Sequence, residues 1–336
     1  MDRTTRPIID EAVRRLRDGG VVAFPTETVY GLGADALNQS GVARVFALKA
    51  RPATRALIVH VTGIEMARAI AGDWPESASR LADAFWPGPL SLIVPRSPAI
   101  PDIVSAGGAT IAVRCPDHPM ALDLIAAFGS PIVGPSANRS GQISPTTADH
   151  VRQQFDPKDV LVLDAGPCPG GLESTVLDLT ADPPRLCRTG PIDARDIASI
   201  LGCPVASGPT HAVRIPVSPP PEAGERGDRP LLLFDASDWP GVLDRLIGAN
   251  RVAAIVTPEP DRAPPPHRLI RMPAEAHAYA ARLYAALREA DQEGVDMILV
   301  ERPSAEMLRS DRSLWAAILD RLERLAGPSR GGGRDG

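Results

Sequence analysis

The sequence predicts a mixed α/β (α+β) protein of two domains, and three observations carry this prediction. Short apolar runs rich in β-branched residues alternate with segments of helical periodicity. The chain has 336 residues, which is more than one ordinary hydrophobic core needs. Between residues 203 and 230 it becomes rich in proline, glycine and charge and loses its apolar periodicity. We therefore expect a linker at 203–230 between two folded domains.

The first domain is expected at residues 1–202. Apolar residues recur at helical spacing over 7–18, and Gly19-Gly20 ends that pattern. The predicted strands are VVAFP (21–25), LIVHV (57–61), LSLIV (90–94), TIAVR (110–114), PIVG (131–134), VLVLD (160–164) and STVLDL (174–179). Helical patterns lie between them at 40–48, 64–71 and 119–128. Strands and helices mixed at this density predict helices packed on a sheet.

The second domain is expected at residues 231–326 and is smaller. Its predicted strands are three apolar runs, LLLF (231–234), VAAIV (252–256) and MILV (297–300). Helical patterns occupy 238–248 and 274–290, and a last helix is predicted over 305–325. Apolar strands separated by helices indicate a parallel, Rossmann-like α/β unit, although no G-x-G-x-x-G motif follows a strand. The tail at 327–336 is expected to be disordered.

Composition excludes several classes of protein. Hydrophobic residues make up 44% and charged residues 23%, as in a globular protein. No secretion signal or membrane-spanning run is found, and the four cysteines show neither C-x-x-C nor metal-ligand spacing, so we expect a cytoplasmic protein with reduced thiols and no protein-bound metal site. With a net charge of −5, any contact with tRNA is expected to be local rather than spread over a basic surface.

The basic residues are almost all arginine. Only Lys49 and Lys158 are lysines, and Lys49 stands in FALKARPATR beside Arg51 and Arg55. Pro52 is expected to stop the preceding helix and to hold Arg51 extended. Three cations leaving a helix end together could clamp a polyphosphate. The alternative is that they only complement the dipole of that helix.

Two polar loops offer further candidates. PTETVYGLGAD (25–35) is interpreted as a turn after a strand, and PSANRSGQISPTT (135–147) presents Ser136, Asn138 and Ser144 among small hydroxyls. Such loops can donate to phosphate or ribose oxygens, or can merely satisfy their own backbone. The P-loop and H-E-x-x-H signatures do not occur, so standard ATPases and zinc proteases are unsupported.

Taken in order, these segments resemble one family. The series consists of PTETVYGLGAD, K-x-R-P before LIVHV, WPGPLSLIV, TIAVRCPDHP, PSANRSGQISPTT and GLESTVLDLT. It closely resembles the threonylcarbamoyl-AMP synthase family, the YrdC-like enzymes, over about residues 7–191. The second domain is similar to the appended domain of the family's long form. The resemblance implies a YrdC-like twisted sheet with helices packed on it.

The resemblance also implies an activity. Members of the family are nucleotidyltransferases that convert L-threonine, bicarbonate and ATP into threonylcarbamoyl-AMP for tRNA modification, with transferase proteins acting downstream. Mg²⁺ is implied by the ATP chemistry. Two alternatives stay open: a non-catalytic RNA-binding or regulatory YrdC-like protein, and a synthase for a different amino acid. The related carbamoyl-adenylate enzymes carry zinc-finger cysteine pairs and an acylphosphatase segment, which this sequence lacks.

Roles for individual residues follow from the resemblance. Lys49 and Arg51 match the K-x-R motif and are expected to hold the triphosphate and stabilise charge in catalysis. The other ATP-binding residues implied are Arg55, Thr110, Ser136, Asn138, Ser144 and Arg188. Those implied around L-threonine are Thr28, His60, Arg114 and Ser174, with Arg114 as the bidentate partner of the carboxylate. The competing interpretations are that His60 is a hydrogen-bonded core histidine and that Arg114 pairs with Asp117.

The sequence departs from the family pattern in three places. Ala50 stands where glycine usually separates the two cations, and Ala56 where proline commonly precedes LIVHV. The linker lacks the tyrosine-containing stretch similar to KYRHYAP that folds over the family's cleft as a lid. We interpret His211 and Arg214 as what remains of that stretch.

Overall fold

The computed structural model describes residues 6–208, 229–248, 252–258, 266–291 and 295–326. These residues form two compact units: 6–140 with 144–208, and 229–326 with 141–143. Most of the expected linker, including His211 and Arg214, and the tail at 327–336 lie outside the described residues. Within the described ranges, no helix combines the length and the apolar character needed to span a membrane.

The first unit is built on a mixed sheet of ten strands. They are β1 (Val21–Phe24), β2 (Gly31–Asp35), β3 (Ile58–His60), β4 (Leu90–Pro95), β5 (Thr110–Arg114), β6 (Ile132–Val133), β7 (Val160–Val162), β8 (Thr175–Asp178), β9 (Arg185–Arg188) and β10 (Ala206–Ser207). Their order is β10-β9-β8-β4-β5-β3-β6-β2-β1-β7. Every strand predicted for this domain is present, with its ends shifted by at most two residues.

Helices pack on both sides of this sheet. They are α1 (Arg6–Arg17), α2 (Gln39–Lys49), α3 (Ile64–Ile70), α4 (Glu76–Phe85), α5 (Asp102–Ser105), α6 (Pro119–Phe128), α7 (Ala148–Arg152) and α8 (Ala194–Leu201). One core packs the sheet against α2 to α5, and a second core packs it against α1 and α6. The predicted twisted sheet with helices packed on it is confirmed.

The predicted turn over PTETVYGLGAD is wrong in its second half. Residues Gly31–Asp35 form β2, which pairs antiparallel with β1. A Cβ atom on Gly31 or Gly33 would come within 2.7 or 3.0 Å of the Phe24 ring. These glycines are therefore required because a strand packs against an aromatic side chain, and not because the chain turns there.

Besides β2, two further strands of the first unit were not predicted. β9 has the sequence RLCR, whose charged ends hide its strand character, and it pairs antiparallel with β8. β10 lies inside the expected linker and pairs parallel with β9 through Ala206 and Ser207. Residues 206 and 207 of the expected linker therefore belong to the sheet.

The two faces of the sheet differ in chemistry. On one face Val59, Leu92 and Val113 belong to the large core beneath the helices. Since side chains alternate along a strand, their neighbours point the other way. There the apolar residues form a small cluster of Ile58, Ile93, Ala112 and Val176. The polar residues in register with that cluster are His60, Ser91, Thr110 and Arg114, and we call this side the polar face.

The second unit contains a parallel sheet, as predicted, but with four strands instead of three. Its strands are β11 (Leu231–Phe234), β12 (Ala253–Thr257), β13 (Arg268–Arg271) and β14 (Met297–Glu301), in the order β11-β14-β12-β13. Its helices are α9 (Trp239–Gly248), α10 (Ala276–Ala290), α11 (Ala305–Ser310) and α12 (Arg312–Ala326), with a short 3₁₀ turn at Ala236–Asp238 before α9. All three strand pairings are parallel.

Two details of the second unit differ from the prediction. β13 was missed because RLIR carries a charge at each end. The last helix is broken at Asp311, which is extended and whose side chain accepts a hydrogen bond from the Leu314 amide to start α12. In β11, the side chain of Leu232 is 47% exposed.

Candidate active site

The end of α2 places a buried lysine against the loop that follows β6. Asn38 caps the start of α2, and Ala50 ends it in the left-handed conformation with φ of 48°. Lys49 is 1% exposed, and its Nζ donates hydrogen bonds to the carbonyls of Ser136 and Asn138, the latter at 2.5 Å. The helix end and the S-x-N loop are thus joined through one ammonium group.

Arg51 lies beside this lysine. Its Nη2 donates to the Ala56 carbonyl at 3.1 Å, whereas its buried Nε has no hydrogen-bond partner among the described residues. Burial, and then the neighbouring charge of Arg55, lower the pKa of Arg51 to about 10. Burial, and then Arg51, lower the pKa of Lys49 well below its ordinary value. Positive charge is therefore costly in this cluster until an anion compensates it.

The two loops that carry the motifs are held together by backbone hydrogen bonds. The Ala137 amide donates to the Tyr30 carbonyl at 2.7 Å, and the Tyr30 amide donates to the Pro145 carbonyl at 2.9 Å. The phenol of Tyr30 donates to the Gly166 carbonyl at 2.8 Å. Ser144 donates from Oγ to Oε1 of Glu173 at 2.8 Å. These contacts hold Tyr30 against the loop that carries Ser136, Asn138 and Ser144.

Arg114 ends β5 on the polar face and is 4% exposed. Its Nε donates to the Gly88 carbonyl at 3.2 Å, and its Nη2 donates to Thr28 Oγ1 at 2.9 Å. The same Nη2 lies 2.7 Å from Oε1 of Glu27. The alternative pairing of Arg114 with Asp117 is not found, because Glu27 is the acid that faces it. Thr28 and Arg114, which the resemblance assigned to one substrate, are therefore in direct contact.

His60 lies next to Arg114 in the β3 and β5 pairing. The ring is buried, and it packs edge-on against Phe24 with centroids 5.5 Å apart. Its Nδ1 has no hydrogen-bond partner in the part of the chain that the structure describes. Burial, and then Arg114, lower the pKa of His60 well below its usual range, and the imidazole is neutral at pH 7.

Ser174 and Arg188 were assigned to different substrates, but they contact each other. Arg188 Nη2 donates to Ser174 Oγ at 2.9 Å, and its Nε donates to the Ser174 carbonyl at 2.8 Å. Ser174 Oγ also lies 2.8 Å from Ser91 Oγ on β4. Ser91 is two residues from Ile93 in the apolar cluster of the polar face. Ser91, Ser174 and Arg188 therefore lie together beside the polar face that also carries Arg114.

The remaining predicted residues are less tightly placed. Thr110 begins β5 opposite Pro95, on the polar face but at the end away from Arg114. Arg55 is half-buried, and its amide donates to the Pro52 carbonyl at 3.2 Å. No side-chain contact with the other candidates fixes either residue.

The sequence interpretation gave no role to Glu27, Ser91, Glu173 or Gly134. The signal for Glu27 was present, since it is the carboxylate of the PTETVYGLGAD loop. Gly134 follows β6, and a Cβ atom there would lie 2.6 Å from the His60 ring and 2.9 Å from Phe24. Its absence of a side chain is what gives His60 its position.

A metal ion would have few protein ligands here. Across the described ranges, no group of three or more His, Cys, Asp or Glu side chains could hold a metal ion. Mg²⁺ commonly keeps several waters and binds substrate phosphates through one or two carboxylates. Ser144 and Glu173 supply a hydroxyl and a carboxylate beside the S-x-N loop. The residues present therefore fit a cation that arrives with the nucleotide.

Comparisons with known proteins agree with this architecture. The profile of the Sua5/YciO/YrdC family, described as telomere recombination, matches residues 14–190, and the profile of the threonylcarbamoyl-AMP synthase C-terminal domain matches residues 228–327. The threonylcarbamoyl-AMP synthase of Bacillus subtilis is 39% identical, covering 96% of this chain and 94% of the relative. The threonylcarbamoyl-AMP synthase of Pyrococcus abyssi is 35% identical, covering 93% of this chain and 92% of the relative.

A solved structure extends the likeness to three dimensions. The crystal structure of P. abyssi Sua5 complexed with L-threonine superposes with a TM-score of 0.85 at 34% identity, covering 95% of this chain and 94% of that one. Family profiles for both parts of the chain and relatives matched along nearly its whole length lead to one assignment. This chain belongs to the threonylcarbamoyl-AMP synthase family.

Proposed function

We propose that this chain is an L-threonylcarbamoyladenylate synthase, a nucleotidyltransferase that converts L-threonine, bicarbonate and ATP into threonylcarbamoyl-AMP, pyrophosphate and water. The observation that carries the proposal is the polar face. On this face Arg114 contacts Thr28, and the other cations are the buried Lys49, held by the loop after β6, and Arg51 beside it. A site that must gather several anionic reactants needs such separated positive charges.

The triphosphate is assigned to the cation pair. Lys49 is anchored by two carbonyls and cannot move far, so its ammonium is a fixed point charge for the phosphates. The buried Nε of Arg51 supplies a donor that the protein leaves unused. The remaining nucleotide contacts are assigned to Arg55, Thr110, Ser136, Asn138, Ser144 and Arg188. Of these, Ser136 and Asn138 are supported by their carbonyl contacts with Lys49.

The amino acid is assigned to Thr28, His60, Arg114 and Ser174. Nε and Nη2 of Arg114 are engaged by Gly88, Thr28 and Glu27, so Nη1 is the nitrogen left to meet a carboxylate. A contact through Nη1 alone replaces the bidentate contact that the resemblance implied. Neutral His60 offers Nδ1 as a further polar contact without adding charge. The relative whose crystal structure is described as complexed with L-threonine supports this choice of substrate.

The chemistry needs no covalent bond to the protein. A carboxylate oxygen of N-carboxythreonine attacks the α-phosphorus of ATP, the bond from that phosphorus to the bridging oxygen breaks, and pyrophosphate leaves with the bond's electron pair. Lys49 and Arg51 stabilise the negative charge that develops on the departing phosphates. When it is bound with ATP, Mg²⁺ supplies further neutralisation of the phosphate charge. A cytoplasmic location and downstream tRNA-modifying transferases stay predictions from the sequence.

The purified protein tests this function directly. With ATP, Mg²⁺ and bicarbonate present, pyrophosphate release is expected to rise at least about tenfold when L-threonine is added. L-serine in the same assay tests the alternative of a different amino acid. No rise with either amino acid refutes the synthase. Salt-sensitive RNA binding that survives Lys49→Ala, without such a rise, supports the non-catalytic alternative instead.

A further inference from the structure

The loop between β1 and β2 carries a carboxylate that the proposed reaction has not used. Glu27 has a side chain only 14% exposed, and its Oε1 lies 2.7 Å from Arg114 Nη2. The two groups are not aligned as a hydrogen bond, and both carboxylate oxygens are buried without a hydrogen-bond partner in the described ranges. Buried polar atoms in folded proteins nearly always find a partner. This carboxylate is thus only partly satisfied by the protein.

The backbone holds Glu27 in one place. Its carbonyl accepts a hydrogen bond from the Gly170 amide at 2.7 Å, and a Cβ atom on residue 170 would come within 2.7 Å of the same carbonyl. On the other side, Thr26 Oγ1 accepts from the Thr28 amide at 3.1 Å and donates to the Val29 carbonyl at 2.6 Å. The unsatisfied carboxylate is therefore presented by a fixed loop, which is how a binding group is preorganised.

Arg114 is the cation that faces this carboxylate. The nearby His118 has its pKa lowered by burial, so it adds little positive charge at neutral pH. An isolated buried ion pair with free acceptor positions is poorly compensated, because each ion has lost its water. Further donors supplied by a ligand would complete the hydrogen bonding of Glu27.

Glu27 and Arg114 together carry charges complementary to those of a free α-amino acid. A free α-amino acid carries an ammonium and a carboxylate on the same carbon atom. Glu27 and Arg114 offer a carboxylate and a guanidinium 2.7 Å apart, beside the Thr28 hydroxyl. Opposite charges matched across a desolvated contact give strong and specific recognition.

We propose that Glu27 binds the ammonium group of the amino-acid substrate while Arg114 binds its carboxylate through Nη1, an assignment that rests on the proposed function. Glu27 is then the residue that selects α-amino acids over acids of the same shape without the amine. The ammonium donates to the carboxylate oxygens that the protein leaves unpaired. The same contact holds the nitrogen that is to be carboxylated.

A pair of ligands separates this role from a merely structural one. L-threonine and its deamino analogue, 3-hydroxybutanoate, share the carboxylate and the hydroxyl but differ in the amine. Their affinities are measured for the wild-type protein and for Glu27→Gln by calorimetry or, for weak binding, by ligand-observed NMR. We expect Glu27→Gln to lower the affinity for L-threonine by roughly tenfold to a hundredfold. Its affinity for the analogue should stay within about twofold of the wild-type value.

Other outcomes overturn the proposal. If the affinities for both ligands fall equally, Glu27 acts only by positioning Arg114. If the affinity for L-threonine is unchanged, Glu27 does not contact the ammonium. The second result is decisive even if the analogue binds the wild-type protein too weakly to measure. Failure of the wild-type protein to bind L-threonine at all instead refutes the proposed function, so the two failures are distinguishable.

Two variants complete the experiment. Glu27→Asp keeps the charge and is expected to recover part of the L-threonine affinity, which a loss of packing alone would not allow. Glu65→Gln removes a glutamate whose side chain is 90% exposed on α3, and it should bind both ligands as the wild-type protein does.

Discussion

The Nζ atom of Lys49 donates a hydrogen bond of 2.5 Å to the carbonyl of Asn138, so that one ammonium group joins the end of α2 to the loop after β6. This contact links two motifs 89 residues apart in the sequence. Lys49, which is proposed to bind ATP, therefore also connects the two segments that are proposed to surround the nucleotide.

Lys49→Met is expected to lose both functions of this ammonium. The methionine fits a buried position but removes the lysine donor from the Ser136 and Asn138 carbonyls, of which Ser136 keeps the Asn138 amide. This loss should lower the free energy of unfolding by about 1–3 kcal/mol. ATP affinity should fall by roughly a hundredfold, because a desolvated charge contact is lost. Calorimetric ATP titration and thermal unfolding measure the two effects.

Lys158 provides the matched control, since it is the other lysine of the chain and is exposed. Lys158→Met should leave ATP affinity and stability nearly unchanged. If Lys49→Met binds ATP as the wild-type protein does while remaining folded, the proposed role of Lys49 is wrong.

The affinity for ATP is expected to depend on pH through Lys49. Burial and Arg51 lower the pKa of Lys49 in the free protein, whereas bound phosphates favour the charged ammonium and raise that pKa. Binding should therefore take up a proton, and ATP affinity should decrease as the pH rises through the lowered pKa. ATP titrations at a series of pH values below the ordinary pKa of lysine measure the slope. Lys49→Arg should flatten it, because an arginine stays charged over this range; an equal slope in both proteins would contradict the assignment.

Gly134→Ala is expected to displace His60. The added methyl group would lie 2.6 Å from the imidazole and 2.9 Å from Phe24 in a packed region. We expect a loss of about 1–3 kcal/mol in stability and a marked loss of L-threonine affinity. Gly63→Ala is the control, because no heavy atom lies within 4 Å of its added Cβ. Retention of wild-type L-threonine affinity in Gly134→Ala would exclude His60 from the substrate site.

Ala50→Gly is expected to stabilise the protein. Ala50 occupies the left-handed region with φ of 48° at the end of α2, where a non-glycine residue is strained by about 1–2 kcal/mol and glycine is favoured. Because glycine loses more backbone entropy on folding than alanine, the net increase in the free energy of unfolding should be about 0.5–1 kcal/mol. It should appear as a thermal unfolding midpoint that is a few degrees higher. Ala47→Gly, inside the same helix, should instead lower stability by about 1 kcal/mol. A lower midpoint in Ala50→Gly would mean that this conformation carries no strain.

Much of the fold was predictable because local pattern and tertiary role agreed. TIAVR is a strand by its β-branched residues, and it forms β5 with the predicted ends. Pro119–Phe128 is a helix by its periodicity and its capping residues, and it forms α6 as predicted. The second unit's parallel sheet likewise followed from apolar runs separated by helical segments.

The errors arose where tertiary packing decides the structure. Gly31 and Gly33 suggested a turn, but they are needed because Phe24 lies against their backbone, and sequence spacing does not reveal that contact. RLCR and RLIR look too polar for strands, yet sheet neighbours supply their hydrogen bonds.

For the candidate site, the motifs located the cations, but not the pairing of Glu27 with Arg114 or of Ser174 with Arg188. Those pairings depend on which strands are neighbours in the sheet. The strand order does not follow from the chain order.

The most direct test of the central claim is the chemical identity of the product. The purified protein is incubated with ATP, Mg²⁺, L-threonine and ¹³C-bicarbonate, and the nucleotides are analysed by mass spectrometry. The synthase predicts an AMP adduct that contains threonine and one ¹³C atom, formed together with pyrophosphate and absent when L-threonine is omitted. Pyrophosphate or AMP released without such a labelled adduct would contradict it.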